Sequence, residues 1–344
     1  MAKNTRVVMT TVGPFAKYGS PVVEVCAKYG THYVDITGES DWVREMLVKW
    51  DATAQRTGAK IISHCGNDCL PSDVTVMMLD SALPEGEHLS RVVTMNEFVG
   101  SASGGSINTI LTNLDGESKN DVTYQFDPLL RLPDGSKSTC KSKFKAPFVG
   151  KWKESGRYLG SYFVFSFLSL ANAATVKRSN ALRGLSEKLL YEEGVVHPDF
   201  KTGFCDLFSQ IFLVTALSNP LSRPIARRFI PKPGEGPDMD LMENMYYGCV
   251  TGYGKGDKGS RVRSVLYFPN DIGNLESARM LSESALCLAL DSKKLPTERG
   301  GFFSPATGLG HAVFDRLIKS GSYAAAETVP SANCKPHLFE RKSK

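Results

Sequence analysis

The sequence of 344 residues is long enough for two domains, since a domain usually holds about 100–200 residues. Its hydrophobic content of 42% and charged content of 22% are typical of a globular protein, which excludes a disordered or fibrous chain. The formal net charge of +5 comes from scattered basic residues, so we expect no nucleic acid partner.

The eight cysteines indicate an intracellular protein with reduced thiols rather than a disulfide framework. They follow no regular spacing, and no signal-peptide pattern precedes them in the first twelve residues, MAKNTRVVMTTV. His64, Cys65 and Cys69 lie close together in the sequence. No second ligand pair with zinc-site spacing follows them, so core packing is the preferred interpretation and we predict no metal site.

Residues 5–65 alternate β-branched runs with amphipathic segments. The runs TRVVMTTV, HYVDIT and AKIISHC predict strands, and residues 21–29 and about 40–57 predict helices, each followed by a glycine. This alternation is typical of βαβ units, so it predicts an α/β fold with a parallel sheet.

A glycine follows each of these three strands: Gly13, Gly38 and Gly66. In open α/β sheets ligands bind outside the carboxyl ends of the strands, where glycine lets the backbone approach them closely. The alternative is that each glycine only permits a tight turn from strand to helix. Three such turns in succession favour a ligand site at this edge.

From about Leu89 the pattern changes to that of a sheet-rich second domain, residues 89–269. LSRVVTMNEFVG and VTYQF predict strands, and MYYGCVTGYG and RVRSVLYF flank a polar turn at 255–260, which predicts a hairpin. Residues 270–322 are predicted to close the fold with helices, the longer at 275–290. Residues 323–344 are predicted to form a flexible tail.

Two long stretches carry no charge. Residues 158–176 are interrupted by serines and an asparagine, and we favour a buried core element there. Residues 207–222 are strongly apolar and are followed by Arg223, Arg227, Arg228 and Lys232. This second stretch fits equally well a core element or an anchor that lies in the plane of a membrane.

One long segment, VGPFAKYGSPVVEVCAKYGTHYVDITGE, resembles the saccharopine dehydrogenase-like oxidoreductases, the family that includes the mycobacterial trans-acting enoyl reductases. GNDCLPSD at 66–73 is similar to that family's Gly-Phe-Asp-Ser-Ile-Pro-Ser-Asp turn, with Asn67 in place of Phe and Cys69 in place of Ser. SASGGS at 101–106, MLSESALCLAL at 280–290 and GGFFSPATGLG at 300–310 also resemble family segments.

The resemblance implies a Rossmann domain that binds NAD or NADP, here residues 1–88, and a mixed α+β second domain. The family opens with a strand and a Gly-rich turn that holds the cofactor's pyrophosphate. Residue 1 falls near the family's fourth strand, so we expect an N-terminally truncated cofactor domain that does not bind NAD(P) by itself. We also expect an open sheet edge and a homodimer or poor solubility.

The candidate site residues follow from the strand ends and the resemblance. We expect the nicotinamide to lie beside the first two turns, at Val12, Gly13, Pro14, Phe15, Tyr18, Thr37 and Gly38. Glu39 and Asp68 stand just past strand ends and are the catalytic candidates, with helix capping as the alternative for each. The N–H groups of Ser103, Gly104 and Gly105 are candidates to bind a substrate oxygen, with a plain turn as the alternative.

These observations favour an NAD(P)-dependent oxidoreductase that acts on a lipid-like carbonyl or enoyl compound. The alternative is a non-catalytic protein of a membrane or lipid-droplet surface that keeps the fold without the cofactor. Saccharopine or amino-acid chemistry is disfavoured, because no arginine pair for a dicarboxylate stands out. We expect the protein inside the cell, either in the cytoplasm or on such a lipid surface.

Overall fold

A computed structural model describes residues 1–67, 69–100, 104, 132, 140–153, 158–232 and 234–329. The strands, in chain order, are β1 (Val7–Thr10), β2 (His32–Asp35), β3 (Lys60–Ile62), β4 (Leu89–Val99), β5 (Lys143–Lys145), β6 (Val149–Lys151), β7 (Tyr162–Val164), β8 (Leu190–His197), β9 (Tyr247–Gly256), β10 (Arg261–Phe268), β11 (Gly301–Phe303) and β12 (Tyr323–Val329).

The α-helices of the described residues are α1 (Phe15–Tyr18), α2 (Ser20–Tyr29), α3 (Ser40–Thr57), α4 (Leu70–Ser81), α5 (Leu168–Arg183), α6 (Phe200–Ser218), α7 (Arg223–Ala226), α8 (Met239–Asn244), α9 (Leu275–Leu290), α10 (Pro305–Gly308) and α11 (His311–Lys319). The helices α2 and α3 end at Gly30 and Gly58, which adopt the left-handed conformation with φ of 74° and 81°. Glycine takes this conformation without a steric penalty.

The first sheet has the strand order β1-β2-β3-β11, and all of its pairs are parallel. This confirms the parallel α/β sheet that the sequence predicts. All four carboxyl ends therefore lie at one edge. The strand β11 belongs to residues 270–322, which were expected to supply only closing helices, so this part of the chain also completes the parallel sheet.

The second sheet is mixed, with the order β12-β10-β9-β4-β8-β7-β6, and β5 pairs with β8 beside this path. Its β9–β10 hairpin confirms the predicted one, while β4 and β8 run parallel. The strand β12 corrects the expected flexible tail as far as Val329, because it pairs with β10 over seven residues. The predicted strand VTYQF lies outside the described residues.

Helix α4 lies between the two sheets and is buried from Leu70 to Leu79. It packs on β9 and β10 of the mixed sheet and on α10, next to the parallel sheet. Its N-terminus follows the turn after β3. The turn region of the parallel sheet is therefore held directly against the mixed sheet, and the space between the two is where a ligand would meet both.

The two uncharged stretches take different structures. Residues 158–176 do not form one element, because they contain a turn, the strand β7 and the first half of α5. Their helical part is largely buried, as predicted for a core segment. Residues 207–222 belong mostly to α6, whose apolar side chains are largely exposed.

Candidate functional site

Glu39 joins the first two strand-end turns at the carboxyl edge of the parallel sheet. Its two carboxylate oxygens accept hydrogen bonds of 2.8 Å from the backbone N–H groups of Phe15 and Ala16. These groups open helix α1, where a negative charge is favourable. Burial raises the pKa of Glu39, and the two N–H donors oppose that shift. Both oxygens of this catalytic candidate are thus engaged by the turn after β1.

Asp35 joins the second and third turns. This fully buried carboxylate accepts hydrogen bonds from Thr37 N (3.0 Å), Ser63 Oγ (3.0 Å) and His64 N (3.2 Å). Burial raises its pKa to about 6, while these donors act in the opposite direction. The contacts agree with a structural role, because they fix the backbone after both strands.

His64 adds a second link between the same two turns. Its Nδ1 lies 2.6 Å from the carbonyl oxygen of Thr37, so this nitrogen donates a proton to that carbonyl. Burial lowers the pKa of His64 to about 4, which makes the ring neutral near pH 7. The neutral ring holds Thr37 in place and does not carry charge to a ligand.

The cofactor-binding candidates divide into exposed and buried groups. Val12, Gly13, Tyr18 and Gly38 are exposed along the carboxyl edge, where a ligand can reach them. The buried members are Pro14, Phe15 and Thr37. The Phe15 ring packs against Trp42 with centroids 5.7 Å apart, so Phe15 contributes to the core of the parallel sheet.

The remaining candidates are only partly visible. Asp68, Ser103 and Gly105 lie outside the described residues. The backbone N–H of Gly104 donates to the carbonyl of Glu235 over 2.9 Å, so a protein acceptor occupies the group that was expected to bind substrate. Next to Asp68, Asn67 N donates to Ser277 Oγ over 2.9 Å, which ties this turn to α9.

A cleft that opens to solvent lies between the turn after β3 and the mixed sheet. The turn and α4 contribute Asn67, Pro71 and Ser72. The opposite wall comes from β4, β8, β9 and their neighbours: Asn96, Glu97, Phe98, Ser166, Leu168, Asn172, Glu193, Val195, Cys249, Val250 and Ile272. The lining combines an apolar wall with a few convergent polar groups, which is typical of small-molecule sites.

Glu193 is the centre of the polar floor of this cleft. Its Oε1 accepts hydrogen bonds from the amide nitrogens of Asn96 (2.9 Å) and Asn172 (2.6 Å), and its Oε2 accepts one from the Tyr191 hydroxyl (2.5 Å). Burial raises the pKa of Glu193, whereas the three donors favour its ionised form. A buried carboxyl group with three donors from three different positions holds the cleft wall rigid.

The amide of Asn172 is only half satisfied. Its nitrogen is fixed by Glu193, so its oxygen points away, and this buried Oδ1 has no hydrogen-bond partner among the described residues. An unsatisfied buried acceptor costs about 1–3 kcal/mol. Asn172 lines the cleft, but its Oδ1 atom has almost no contact with solvent, so a ligand in the cleft does not reach it.

Glu97 is the second carboxyl group on the cleft wall. The hydroxyls of Tyr158 and Tyr247 donate to its two oxygens over 2.8 Å each. Unlike Glu193, Glu97 is only half-buried. It therefore has both a fixed orientation and access to the cleft, which a group that transfers protons needs.

Asp73 anchors the opposite side of α4. One oxygen accepts from Ser179 Oγ and the other from Ala306 N at 2.8 Å, while Ser179 Oγ lies 2.6 Å from Ser304 Oγ. A second, partly open pocket adjoins this network and is lined by His64 and Phe302 among others. These contacts join α4, α5 and the turn after β11, so we assign them to structure.

Sequence patterns did not identify Asn96, Glu97, Asn172 or Glu193. One signal in the sequence did point to this site: Glu192 and Glu193 are adjacent carboxylates inside the strand LYEEGVVH. Charged residues in a sheet interior need a partner. Within the described part of the chain, no three His, Cys, Asp or Glu side chains are grouped so as to bind a metal.

Comparisons with known proteins give relatives that extend over most of the chain, while no protein-family model matches it. The chain is 31% identical over 343 residues to the trans-acting enoyl reductase of Mycobacterium tuberculosis, covering 93% of this chain and 80% of that protein. A second Mycobacterium tuberculosis protein, which carries this name provisionally, is 32% identical with the same coverage. The trans-acting enoyl reductase of Mycobacterium ulcerans is 29% identical and covers 95% of the chain.

Among solved structures, the apo saccharopine dehydrogenase (L-Glu forming) of Saccharomyces cerevisiae aligns with 96% of this chain and 86% of its own. The sequence identity is 12% and the TM-score is 0.47. A similarity of this size defines neither the fold nor the site of the present chain.

Proposed function

Since this chain belongs to the family of the trans-acting enoyl reductases, we propose a specific reaction for it. It uses NADH or NADPH to reduce the carbon–carbon double bond of a lipid-like enoyl compound. Oxidoreductase chemistry comes with the family, whereas the cofactor and the substrate class are inferred from the cleft.

The observation that carries the proposal is the position of the cleft. It has the turn after β3 on one side and the polar floor around Glu193 on the other, at the carboxyl edge of a parallel sheet. This is the edge at which open α/β sheets bind their ligands. A cofactor at the strand-end turns and a substrate against the mixed sheet would meet there.

The residues present fit the nicotinamide end of a dinucleotide. The exposed backbone at Gly13 and Gly38 allows the close approach that this end requires. When bound, the dihydronicotinamide supplies the hydride. The protein contributes orientation, electrostatics and exclusion of water.

Proton delivery is assigned to Glu97. Reduction of an enoyl carbonyl compound leaves negative charge on the substrate, and a proton must then reach the α-carbon. Glu97 lines the cleft, is half-buried and is held in one orientation by the hydroxyls of Tyr158 and Tyr247, so it can regain a proton from solvent on its exposed side. Glu193 has no such access and acts as a positioning residue for Asn96 and Asn172.

Glu39 takes a positioning role in this scheme. Its oxygens hold the backbone of Phe15 and Ala16, so it shapes the turn that faces the nicotinamide. Asp68 stays a catalytic candidate on the basis of the sequence alone. Its neighbour in the sequence, Asn67, lines the cleft.

The apolar part of the lining supports a lipid-like substrate. Phe98, Leu168 and Ile272 form a wall without charge, which suits an alkyl chain better than a polar metabolite. The alternative of a non-catalytic surface protein gains no support from the relatives, since their names describe enzymes.

The direct test is oxidation of NADH and of NADPH, in the presence of a long-chain trans-2-enoyl thioester, by the protein supplied with the family's opening strand and Gly-rich turn ahead of residue 1. We expect loss of reduced cofactor to depend on both partners, with the saturated thioester as product by mass spectrometry. The saturated thioester serves as the control substrate. Absence of turnover with both cofactors over a series of enoyl and carbonyl substrates would refute the proposal.

A further inference from the structure

The solvent face of α6 is largely apolar. Its exposed large apolar side chains are Phe200, Phe204, Phe208, Ile211, Phe212 and Leu213, and the polar side chains exposed beside them are Lys201, Thr202, Ser209, Thr215 and Ser218. Phe208 and Phe212 are 60% and 65% exposed, and their rings stack with centroids 6.4 Å apart. A continuous exposed apolar face of this kind marks a surface that another apolar phase or partner covers.

The other face of α6 is packed on the mixed sheet. Gly203 and Leu207 are buried, and a Cβ on Gly203 would lie only 2.8 Å from Val164 Cγ2 of β7. Among the described residues α6 is the helix that has the length and hydropathy to cross a bilayer. Crossing would require it to leave β6, β7 and β8, whereas lying in the plane of a surface preserves these contacts.

The chain after α6 adds positive charge to the same region. Arg223 donates to the carbonyls of Leu217 and Ser218 at the C-terminus of α6, and Arg227, Arg228 and Lys232 are exposed. Exposed apolar residues alternate with these cations: Leu221, Ile225 and Phe229 are 86%, 61% and 82% exposed. Apolar side chains interleaved with cations suit the headgroup region of an anionic lipid layer.

We propose that α6 and residues 221–232 form a docking surface for an anionic lipid membrane, with α6 in the plane of the layer. An acidic protein would also attract the cations, but the helix itself offers little polar recognition. Its acidic side chain Asp206 bonds to His197 (3.2 Å) and Gln210 (2.9 Å). The phenylalanine face requires an apolar medium, and the cations select an anionic one.

The docking surface leads to the cleft, a step that rests on the proposed function. Gln210 Nε2 donates to the carbonyl of Phe165 (3.3 Å), and its Oε1 accepts from Phe167 N (3.4 Å). The next residue, Leu168, lines the cleft together with Phe98, and both are 43% exposed. An apolar substrate dissolved in the membrane would therefore meet an apolar path from α6 to the cleft.

Membrane docking can be tested by flotation of the full-length protein with vesicles of phosphatidylcholine, with and without phosphatidylserine. We expect binding to the anionic vesicles and a strong loss in Phe208→Ser/Phe212→Ser. Each arginine near an anionic surface strengthens binding by about 5-fold, so Arg227→Gln/Arg228→Gln should weaken it by about 30-fold. Val48→Ser/Leu286→Ser, which removes exposed apolar side chains on α3 and α9, is the matched control.

Three outcomes would overturn the proposal. The first is absence of vesicle binding, and the second is an equal loss of vesicle binding in the control variant. The third is a solution dimer that dissociates in Phe208→Ser/Phe212→Ser, which would assign the surface to a second copy of the chain. Phe212→Trp reports how deeply α6 enters the bilayer. In-plane docking predicts that lipids brominated near the headgroup quench the fluorescence of this tryptophan. Quenching by lipids brominated at the bilayer centre would contradict it. These readouts do not depend on catalytic activity, so they can fail independently of the proposed reaction.

Discussion

The amide nitrogen of Asn172 donates a hydrogen bond of 2.6 Å to the buried carboxylate of Glu193, and this contact fixes α5 to β8 at the floor of the cleft. It also orients the rest of the Asn172 amide. The oxygen is left buried and without a partner among the described residues.

Asn172→Ala should therefore lower stability only slightly. Removal of the side chain eliminates the unsatisfied oxygen, which offsets part of the loss of one of the three donors to Glu193. We expect the free energy of unfolding to change by less than about 1 kcal/mol in a urea titration. Asn180→Ala, which removes a buried asparagine of the same helix whose amide makes three hydrogen bonds, should cost more. A larger loss in Asn172→Ala than in Asn180→Ala would contradict this account.

Glu39→Gln should destabilise the fold. Both oxygens of Glu39 accept backbone N–H groups, and the amide of glutamine leaves one of those N–H groups without an acceptor. We expect a loss of about 1–3 kcal/mol in the free energy of unfolding, measured by urea titration. Glu45→Gln, at an exposed position of α3, should have almost no effect. Unchanged stability with reduced turnover would instead make Glu39 a catalytic residue.

Local patterns predicted the first part of the fold well because its βαβ units depend on short-range signals. The helix predicted at about 40–57 is α3, Ser40–Thr57, and its C-terminal glycine has the expected left-handed conformation. The role of Glu39 could not be predicted, because its hydrogen-bond partners lie more than twenty residues earlier. Only the folded sheet brings the two turns together.

The mixed sheet was predicted less completely because its strands depend on pairing. The strand β8 contains adjacent carboxylates, which are unfavourable inside a sheet until Asn96, Asn172 and Tyr191 satisfy Glu193. Similarly, YAAAETV has weak strand propensity, and it forms β12 through its antiparallel register with β10. The floor of the cleft is built from such non-local contacts, so sequence patterns alone did not locate it.

Asp73 should give a measurable pH dependence of stability. Burial raises its pKa from the ordinary value of 3.8 to about 6. The folded protein therefore holds this proton more tightly than the unfolded chain. The resulting contribution to the free energy of unfolding is complete below pH 3.8. It is lost as the pH rises to about 6, and the loss amounts to about 3 kcal/mol.

The difference in unfolding free energy between the parent and Asp73→Asn isolates this group. As the pH rises from 3.8 to about 6, we expect the parent to lose stability relative to Asp73→Asn. The comparison is necessary because His64, with its pKa lowered to about 4, acts in the opposite direction over part of this range. Asp315→Asn, at an exposed position of α11, is the control. A pH-independent difference would refute the assignment.

Asp68→Asn should lower turnover while leaving the thermal midpoint nearly unchanged, if the sequence-based assignment is right. Its neighbours support the test, since Asn67 is tied to Ser277 and lines the cleft. Steady-state kinetics and thermal denaturation of the same preparation would separate the two roles. A large loss of stability with unaltered kinetics would identify Asp68 as a cap of α4.

Glu97→Gln should slow the chemical step without weakening cofactor binding. Glutamine keeps the size of the side chain but cannot carry the transferred proton, and loss of a general acid–base group typically costs about 10²–10⁴-fold in rate. We expect kcat for an enoyl thioester to fall by at least about 100-fold, with the Kd for NAD(P)H unchanged. Tyr158→Phe and Tyr247→Phe each remove one donor to Glu97 and should shift the pH profile of kcat. Glu187→Gln, at an exposed position outside the cleft, is the control. If Glu97→Gln keeps its kcat but unfolds at lower urea concentration, Glu97 is an anchor for the two tyrosines, and the proton comes from another group.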